Sequence, residues 1–166
     1  MFRTIKDFLD SWKYEREATL KVFGYLTDES LNQKVTEEGR SLGFIAWHIT
    51  TSLSEMLSKT GLQVEMLEES LHANITSKFI YDEYAKSSKS VLELTSKYWT
   101  DEMLNDDINM YGQVWKRAKV LTSLITHQAH HRGQMTVLMR QAGLKVPGVY
   151  GPAKEEWAAY GMPTQN

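Results

Sequence analysis

Three of the five histidines in this 166-residue chain fall within five consecutive positions, His127-Gln128-Ala129-His130-His131. Each helical residue turns by about 100°, so His127 and His131 share one face while His130 points away from it. The apolar stripe of this helix centres near His131, with His127 at its edge. Two imidazoles at i and i+4 are spaced to chelate one metal ion, and His130 is predicted to lie at the surface.

A third ligand is expected from another helix, because two side chains seldom hold a metal ion alone. His48 meets this requirement, since its neighbours on the helical wheel are the inward-facing residues of its own helix, Ile45, Ile49, Ser52 and Met56. The sequence therefore predicts one divalent metal ion on His48, His127 and His131. The alternative is that the three are core residues whose ring nitrogens are satisfied by hydrogen bonds. His72 has no comparable partner.

Such a three-histidine site predicts Lewis-acid chemistry. Neutral imidazoles leave the ion its full charge and an open coordination position, as in catalytic zinc sites. The ion can lower the pKa of a bound water to about 7, which leads to hydrolysis, or deprotonate a bound thiol, which leads to thiolate attack. Imidazole ligands suit zinc, nickel, copper and iron equally. Gln128 follows His127 where a zinc protease helix carries Glu, so that class is disfavoured.

Five further side chains near the predicted ligands have candidate roles. Gln134 lies near the edge of the stripe, where it is able to orient a ligand or contact substrate. Arg132 is within reach of an anionic group, although a solvated helix flank is the favoured interpretation. Glu55 shares the His48 face and is a candidate proton acceptor. Trp47 and Trp115 are predicted to serve in packing.

Four amphipathic helices are predicted to position these residues, because apolar side chains recur at helical spacing in four segments. They cover residues 5–26, 42–59, 79–98 and 116–142. Thr4 is the expected N-cap of the first helix, and Gly143 is expected to end the last. Helices of this kind bury their stripes against one another, so the predicted fold is all-α, a four-helix bundle.

The segments between the helices have weaker patterns. Residues 27–30 are predicted to form a turn, and residues 31–40 are polar and predicted to be irregular. Residues 62–76 fit either a short helix or part of a long connection. In residues 108–115, apolar and polar side chains alternate weakly around Gly112, which indicates a short extended excursion or hairpin. A last short helix is predicted over residues 154–160.

Composition limits the class of protein. The length fits a single domain over residues 1–166, and the absence of cysteine excludes disulfides and thiolate ligands. A net charge of −2 argues against a nucleic-acid partner. The first twenty residues lack the apolar core of a signal peptide, and no apolar run approaches the roughly 20 residues of a membrane span. We therefore expect a cytoplasmic protein without a membrane partner.

The histidine motifs also resemble those of a known family. The block from His127 to Gln134, followed by Leu138-Met139-Arg140-Gln141-Ala142-Gly143, is similar to the C-terminal helix motif of the DinB-like (damage-inducible) metalloproteins. The segment Ala46-Trp47-His48-Ile49 resembles the family's other histidine motif. Trp115 and Tyr150-Gly151-Pro152 also resemble residues of that family.

The resemblance implies a four-helix bundle that holds zinc or nickel on His48, His127 and His131, and a homodimer. A second apolar face at Ile125 and Ala129, continued by Val137, would suit the dimer contact. Relatives include S-transferases that use bacillithiol or a similar low-molecular-weight thiol, and a mycothiol-dependent isomerase. The predicted function is therefore that of a metal-dependent thiol S-transferase or hydrolase acting on a small molecule. The alternative is a non-catalytic metal-binding or stress-response protein.

Overall fold

Four α-helices form the protein, which a computed structural model describes over residues 1–65 and 75–163. They are α1 (Ile5–Phe23), α2 (Leu42–Ser58), α3 (Ser77–Tyr98) and α4 (Arg117–Gln141). Helix α2 packs against α3 and α4, and α1 packs against the same two helices from the other side. The pairs α1–α2 and α3–α4 therefore lie diagonally across one apolar core. The predicted all-α four-helix bundle is confirmed.

Side-chain caps begin three of the helices. Thr4, Ser41 and Thr76 each accept a hydrogen bond from the backbone N–H three residues later, at 3.0–3.1 Å, which satisfies a donor that the first turn leaves unpaired. Helix α4 has no side-chain cap. Its first residue, Arg117, instead donates its backbone N–H to the carbonyl of Asp106 at 2.9 Å.

The helix ends differ little from those predicted. Helix α1 ends at Phe23 rather than Leu26, because its last backbone bonds tighten to i→i+3 contacts after Gly24. Helix α3 begins two residues earlier than predicted, where Thr76 supplies the cap. Helix α4 ends as predicted before Gly143, whose φ of +73° is the left-handed conformation that favours glycine.

A short hairpin precedes α4 and confirms the predicted extended excursion. Strands β1 (Asp107–Met110) and β2 (Gln113–Lys116) pair antiparallel, with Asp107 opposite Lys116. The two turn residues, Tyr111 and Gly112, both have positive φ (53° and 77°), as a type I′ turn requires.

The loops agree with the predicted irregular regions. A 3₁₀ turn covers Glu29–Asn32, and the chain then runs without regular structure to Ser41. Two further 3₁₀ segments cover Glu102–Asn105 and Lys154–Tyr160. Most of segment 62–76, which was predicted as either a short helix or a connection, lies outside the described residues. His72 also lies outside them. Within residues 1–65 and 75–163, no helix combines the length and the apolar character needed to cross a membrane.

Candidate metal centre

The three predicted ligands come together on two adjacent helices. His48 lies in the middle of α2, and His127 and His131 lie one turn apart in α4, which packs directly on α2. The imidazole centroids of His127 and His131 are 4.4 Å apart, and that of His48 lies 5.0 and 4.8 Å from them. Helical spacing on α4 and close contact between the two helices thus produce one cluster.

The nitrogen positions in this cluster fit a metal ion. The Nε2 atom of His127 lies 3.2 Å from Nε2 of His48 and 3.1 Å from Nε2 of His131. Tetrahedral zinc at about 2.0–2.1 Å from each nitrogen would separate two ligand atoms by about 3.3 Å. One ligand atom from each of the three residues lies within 4.8 Å of the others. Among the described residues, this group could hold a metal ion.

Gln134 sets the tautomer of His131. The two residues share a 2.7 Å contact between His131 Nδ1 and Gln134 Oε1. An amide oxygen accepts and does not donate, so Nδ1 carries the proton and Nε2 keeps its lone pair for a metal. The Gln134 amide nitrogen lies 3.1 Å from His130 Nε2, to which it donates, and this second bond supports the same amide orientation. The predicted orienting role of Gln134 thus has a structural basis.

Burial keeps His127 and His131 neutral. Loss of hydration is the largest effect on His127, and together with the neighbouring His131, His48, His130 and Arg40 it lowers the pKa to about 4. Burial also lowers the pKa of His131, against the opposing effect of its bond to Gln134. Both imidazoles are therefore unprotonated at neutral pH, the state in which they bind metals.

The cluster is not sealed from solvent. His131 is buried, whereas His48 and His127 are half-buried. Access to two of the three rings is what an open coordination position requires. The buried Thr50, Ser52 and Ser54 hydroxyls of α2 donate back to carbonyls of their own helix.

Arg132 does not occupy the predicted solvated flank. Its side chain is only 3% exposed and pairs with the carboxylate of Glu15, which is itself buried. It also donates to the hydroxyls of Thr19 (2.8 Å) and Tyr150. The prediction that Arg132 reaches a small anionic ligand is wrong, because α1 supplies its anion. The periodicity of apolar residues in α1 does not reveal the inward position of Glu15, a charged residue on the buried face.

The other candidates divide between packing and contact with the hairpin. Trp47 is buried and Trp115 is partly buried against the core, as predicted. His130 is exposed, as predicted. Glu55 accepts a hydrogen bond from the Tyr111 hydroxyl at 2.7 Å and forms an ion pair with a lysine one turn later. Both oxygens of Glu55 thus have partners, and the Tyr111 bond ties α2 to the hairpin. Its role as proton acceptor stays a prediction.

Two residues next to the ligands were not predicted from the sequence to have a role: Phe44 contacts His48, and Gln128 joins α4 to α2 and α3. The Phe44 ring stacks on His48 at a centroid distance of 6.2 Å and an angle of 9°. Gln128 is fully buried, accepts a bond from the Tyr84 hydroxyl at 2.9 Å and donates to the Ile49 carbonyl at 3.1 Å. The contact between Phe44 and His48 could have been predicted, because residues four positions apart on a helix lie on the same face.

The fold and this cluster define a class of protein: a four-helix bundle with a three-histidine group that joins two neighbouring helices. The chain belongs to the DinB family, whose model matches residues 1–166. A curated relative, the uncharacterised protein YrdA of Bacillus subtilis strain 168, is 46% identical over 162 residues, which cover 98% of this chain and 97% of that protein.

Two solved structures share the architecture. A DinB-like protein from Bacillus cereus ATCC 10987 matches with a TM-score of 0.85 and 46% identity, over 90% of this chain and all of the other. The DinB-like protein YjoA from Bacillus subtilis matches with a TM-score of 0.67 over 86% of this chain and 97% of its own. Its identity is 17%, so it supports the fold alone.

Proposed function

We propose that the protein binds one divalent metal ion, zinc or nickel, on His48, His127 and His131, and uses it to transfer a small thiol to an electrophile. The observation that carries this proposal is the convergence of three Nε2 atoms, with two separations of 3.1 and 3.2 Å. Lone pairs facing one another at that distance repel unless a proton or a cation lies between them. A bound ion satisfies all three.

The protein's own residues support an activating role for the ion. A divalent ion held by His48, His127 and His131 would lower the pKa of a thiol or water bound to it. Neutral imidazoles leave its charge uncompensated, and Gln134 holds His131 with Nε2 unprotonated. Partial exposure of His48 and His127 provides access for substrate. The family resemblance favours a thiol over water as the activated group.

Metal content tests the proposed centre. We expect about one ion per chain in the wild type and loss of the ion in His127→Ala, measured by elemental analysis of tag-free protein loaded with zinc or nickel. His130→Ala is the matched control, because His130 neighbours the cluster on the same helix but lies outside it. Equal metal content in all three proteins, or none in any, would contradict the site.

Thiol transfer tests the activity. A small thiol and an aryl chloride are expected to give the thioether, chloride and a proton, as the thiolate forms the new C–S bond and chloride leaves with its electron pair. The rate should depend on the metal and be lost in His127→Ala. Ester hydrolysis without thiol transfer would favour a metal-dependent hydrolase. A stable, fully loaded protein inactive in both assays would favour a non-catalytic metal-binding protein.

A further inference from the structure

The loop before α2 places a positive charge beside the histidine cluster. Two backbone bonds close this loop, from Gly39 N–H to the Thr36 carbonyl at 3.0 Å and from Leu42 N–H to the Gln33 carbonyl at 2.9 Å. Arg40 follows the inner turn directly and precedes the Ser41 cap. Its position is therefore set by the loop's own hydrogen bonds and by the start of α2.

The Arg40 side chain lies in a column that ends at a predicted ligand. Its guanidinium carbon lies 5.1 Å from the centroid of the Phe44 ring, and that ring stacks on His48 at 6.2 Å. In the described part of the chain, no carboxylate pairs with Arg40, and its side chain is exposed. Its charge is thus available to an incoming anion while a cation–π contact orients it.

A cavity of about 400 Å³ lies between this arginine and helix α4. Arg40 and Gln134 are its polar lining residues, and its apolar lining residues are Val35, Ile45, Val137 and Leu138. Gln134 is also the residue that accepts a hydrogen bond from His131. One side chain therefore belongs both to the cavity wall and to the support of the cluster.

We propose that this cavity is the specificity subsite for a thiol substrate that carries a carboxylate, with the carboxylate on Arg40 and the aliphatic part along the apolar wall. The inference rests on the proposed function, because it places the thiol end at the histidines. A guanidinium binds a carboxylate through two parallel hydrogen bonds, which selects an anionic group by geometry as well as charge. Arg40 is thus a binding residue and takes no part in the thiol chemistry.

A matched pair of thiols tests the subsite by direct binding. The probes are 6-mercaptohexanoate and its methyl ester, which have the same thiol and chain but differ in charge. Binding to the cobalt(II)-loaded protein is followed by the thiolate-to-cobalt charge-transfer absorbance. We expect the wild type to bind the acid about fivefold more tightly than the ester, the size of a partly exposed ion pair. Added salt should reduce the preference.

Two variants separate the subsite from the general charge of the protein. Arg40→Met keeps the length and apolar stem of the side chain and should reduce the acid-to-ester preference to about one, with metal content unchanged. Lys34→Met removes the same charge from the same loop but lies outside the cavity lining, so the preference should persist. An equal preference in the wild type and Arg40→Met would overturn the subsite and leave the proposed function intact. If the wild type gave no absorbance band with the acid and none with the ester, thiol binding at the metal would be overturned, and the subsite with it.

Discussion

Gln134 is the clearest example of a single side chain that prepares the cluster for a metal. Its oxygen accepts the Nδ1 proton of His131 at 2.7 Å, and its amide group donates to His130. A hydrogen bond of this kind sets the orientation and basicity of a metal-binding imidazole. By contrast, Nδ1 of His127 is buried without a hydrogen-bond partner among the described residues. Within this part of the chain, a side chain therefore orients the His131 ring but not the His127 ring.

Replacement of Gln134 by Ala is expected to weaken metal binding by about 10–100-fold, the usual effect of removing such a partner. The measurement is competition with a chromophoric chelator. Gln141→Ala is the control, since Gln141 is an exposed glutamine at the last position of the same helix. Identical metal affinities for the two variants would show that the Gln134 bond does not support the site.

Among the elements, α4 has the greatest effect on the site, because it contributes two of the three histidines. Its first turn is joined to the segment before the hairpin by Arg117, which pairs with Asp106 at 3.0 Å and lies over the Trp99 ring. Its last turn stops at Gly143 in a left-handed conformation. The histidines lie in the middle of the helix, away from both ends.

Substitution of glycine by alanine is expected to change the free energy of unfolding in opposite directions at two positions of this region. Gly133 is exposed inside α4, and a Cβ there meets nothing within 4 Å. Gly133→Ala should therefore raise the free energy of unfolding by about 1 kcal/mol through helix propensity. Gly143 has the same open surroundings but a φ of +73°, so Gly143→Ala should lower it by about 1 kcal/mol.

Urea denaturation of the two alanine variants measures both changes. Because neither new methyl group meets a neighbour, each variant serves as the packing control for the other. Changes of the same sign would show that backbone conformation does not decide the outcome. A loss of stability in Gly133→Ala alone would indicate that another surface approaches this face of α4.

For the molecule as a whole, a buried ion pair joins elements that are distant in sequence. Arg132 of α4 pairs with Glu15 of α1, and the Tyr150 hydroxyl accepts from the guanidinium and donates to the Glu15 carboxylate. Partial loss of hydration and the bond to Glu15 together raise the pKa of Tyr150 to about 12. The C-terminal segment is thereby attached to the α1–α4 side of the bundle.

Removal of one charge from this pair is expected to destabilise the protein strongly. Arg132→Met should lower the free energy of unfolding by about 3–5 kcal/mol, because it leaves the Glu15 carboxylate buried without a counter-charge. The double variant Glu15→Met/Arg132→Met should recover most of that loss. Denaturant unfolding of both single variants and the double variant completes the cycle, and additive losses would contradict the proposed coupling.

The homodimer remains a prediction, with the outer face of α4 as its contact. Val137 is 53% exposed, and Ile125 and Ala129 are half-buried. We expect sedimentation to give twice the 19.1 kDa of one chain, and Ala129→Glu to give the monomer by placing a charge in the contact. Lys89→Glu on the exposed surface of α3 is the control. A monomeric wild type would contradict the prediction.

Local interactions explain why so much could be predicted from the sequence. Helical periodicity placed His127 and His131 on one face, the caps at Thr4 and Gly143 depend on residues a few positions away, and the hairpin follows from its turn residues. The amphipathic stripes required four helices to pack together. His48 could be assigned to the same cluster because it lies on the inward face of its helix.

Contacts between segments that are distant in sequence decided the features that local patterns could not predict. Arg132 is buried because Glu15, 117 residues earlier, lies opposite it across the α1–α4 contact, and no periodicity in α4 reveals that carboxylate. Arg40 lies beside His48 because a closed loop and the Phe44 ring position it. A side chain's charge partner and its exposure depend on which helices become neighbours. The sequence by itself therefore determined the helices and the histidines, whereas tertiary packing decided which arginine is buried in an ion pair and which remains available to a ligand.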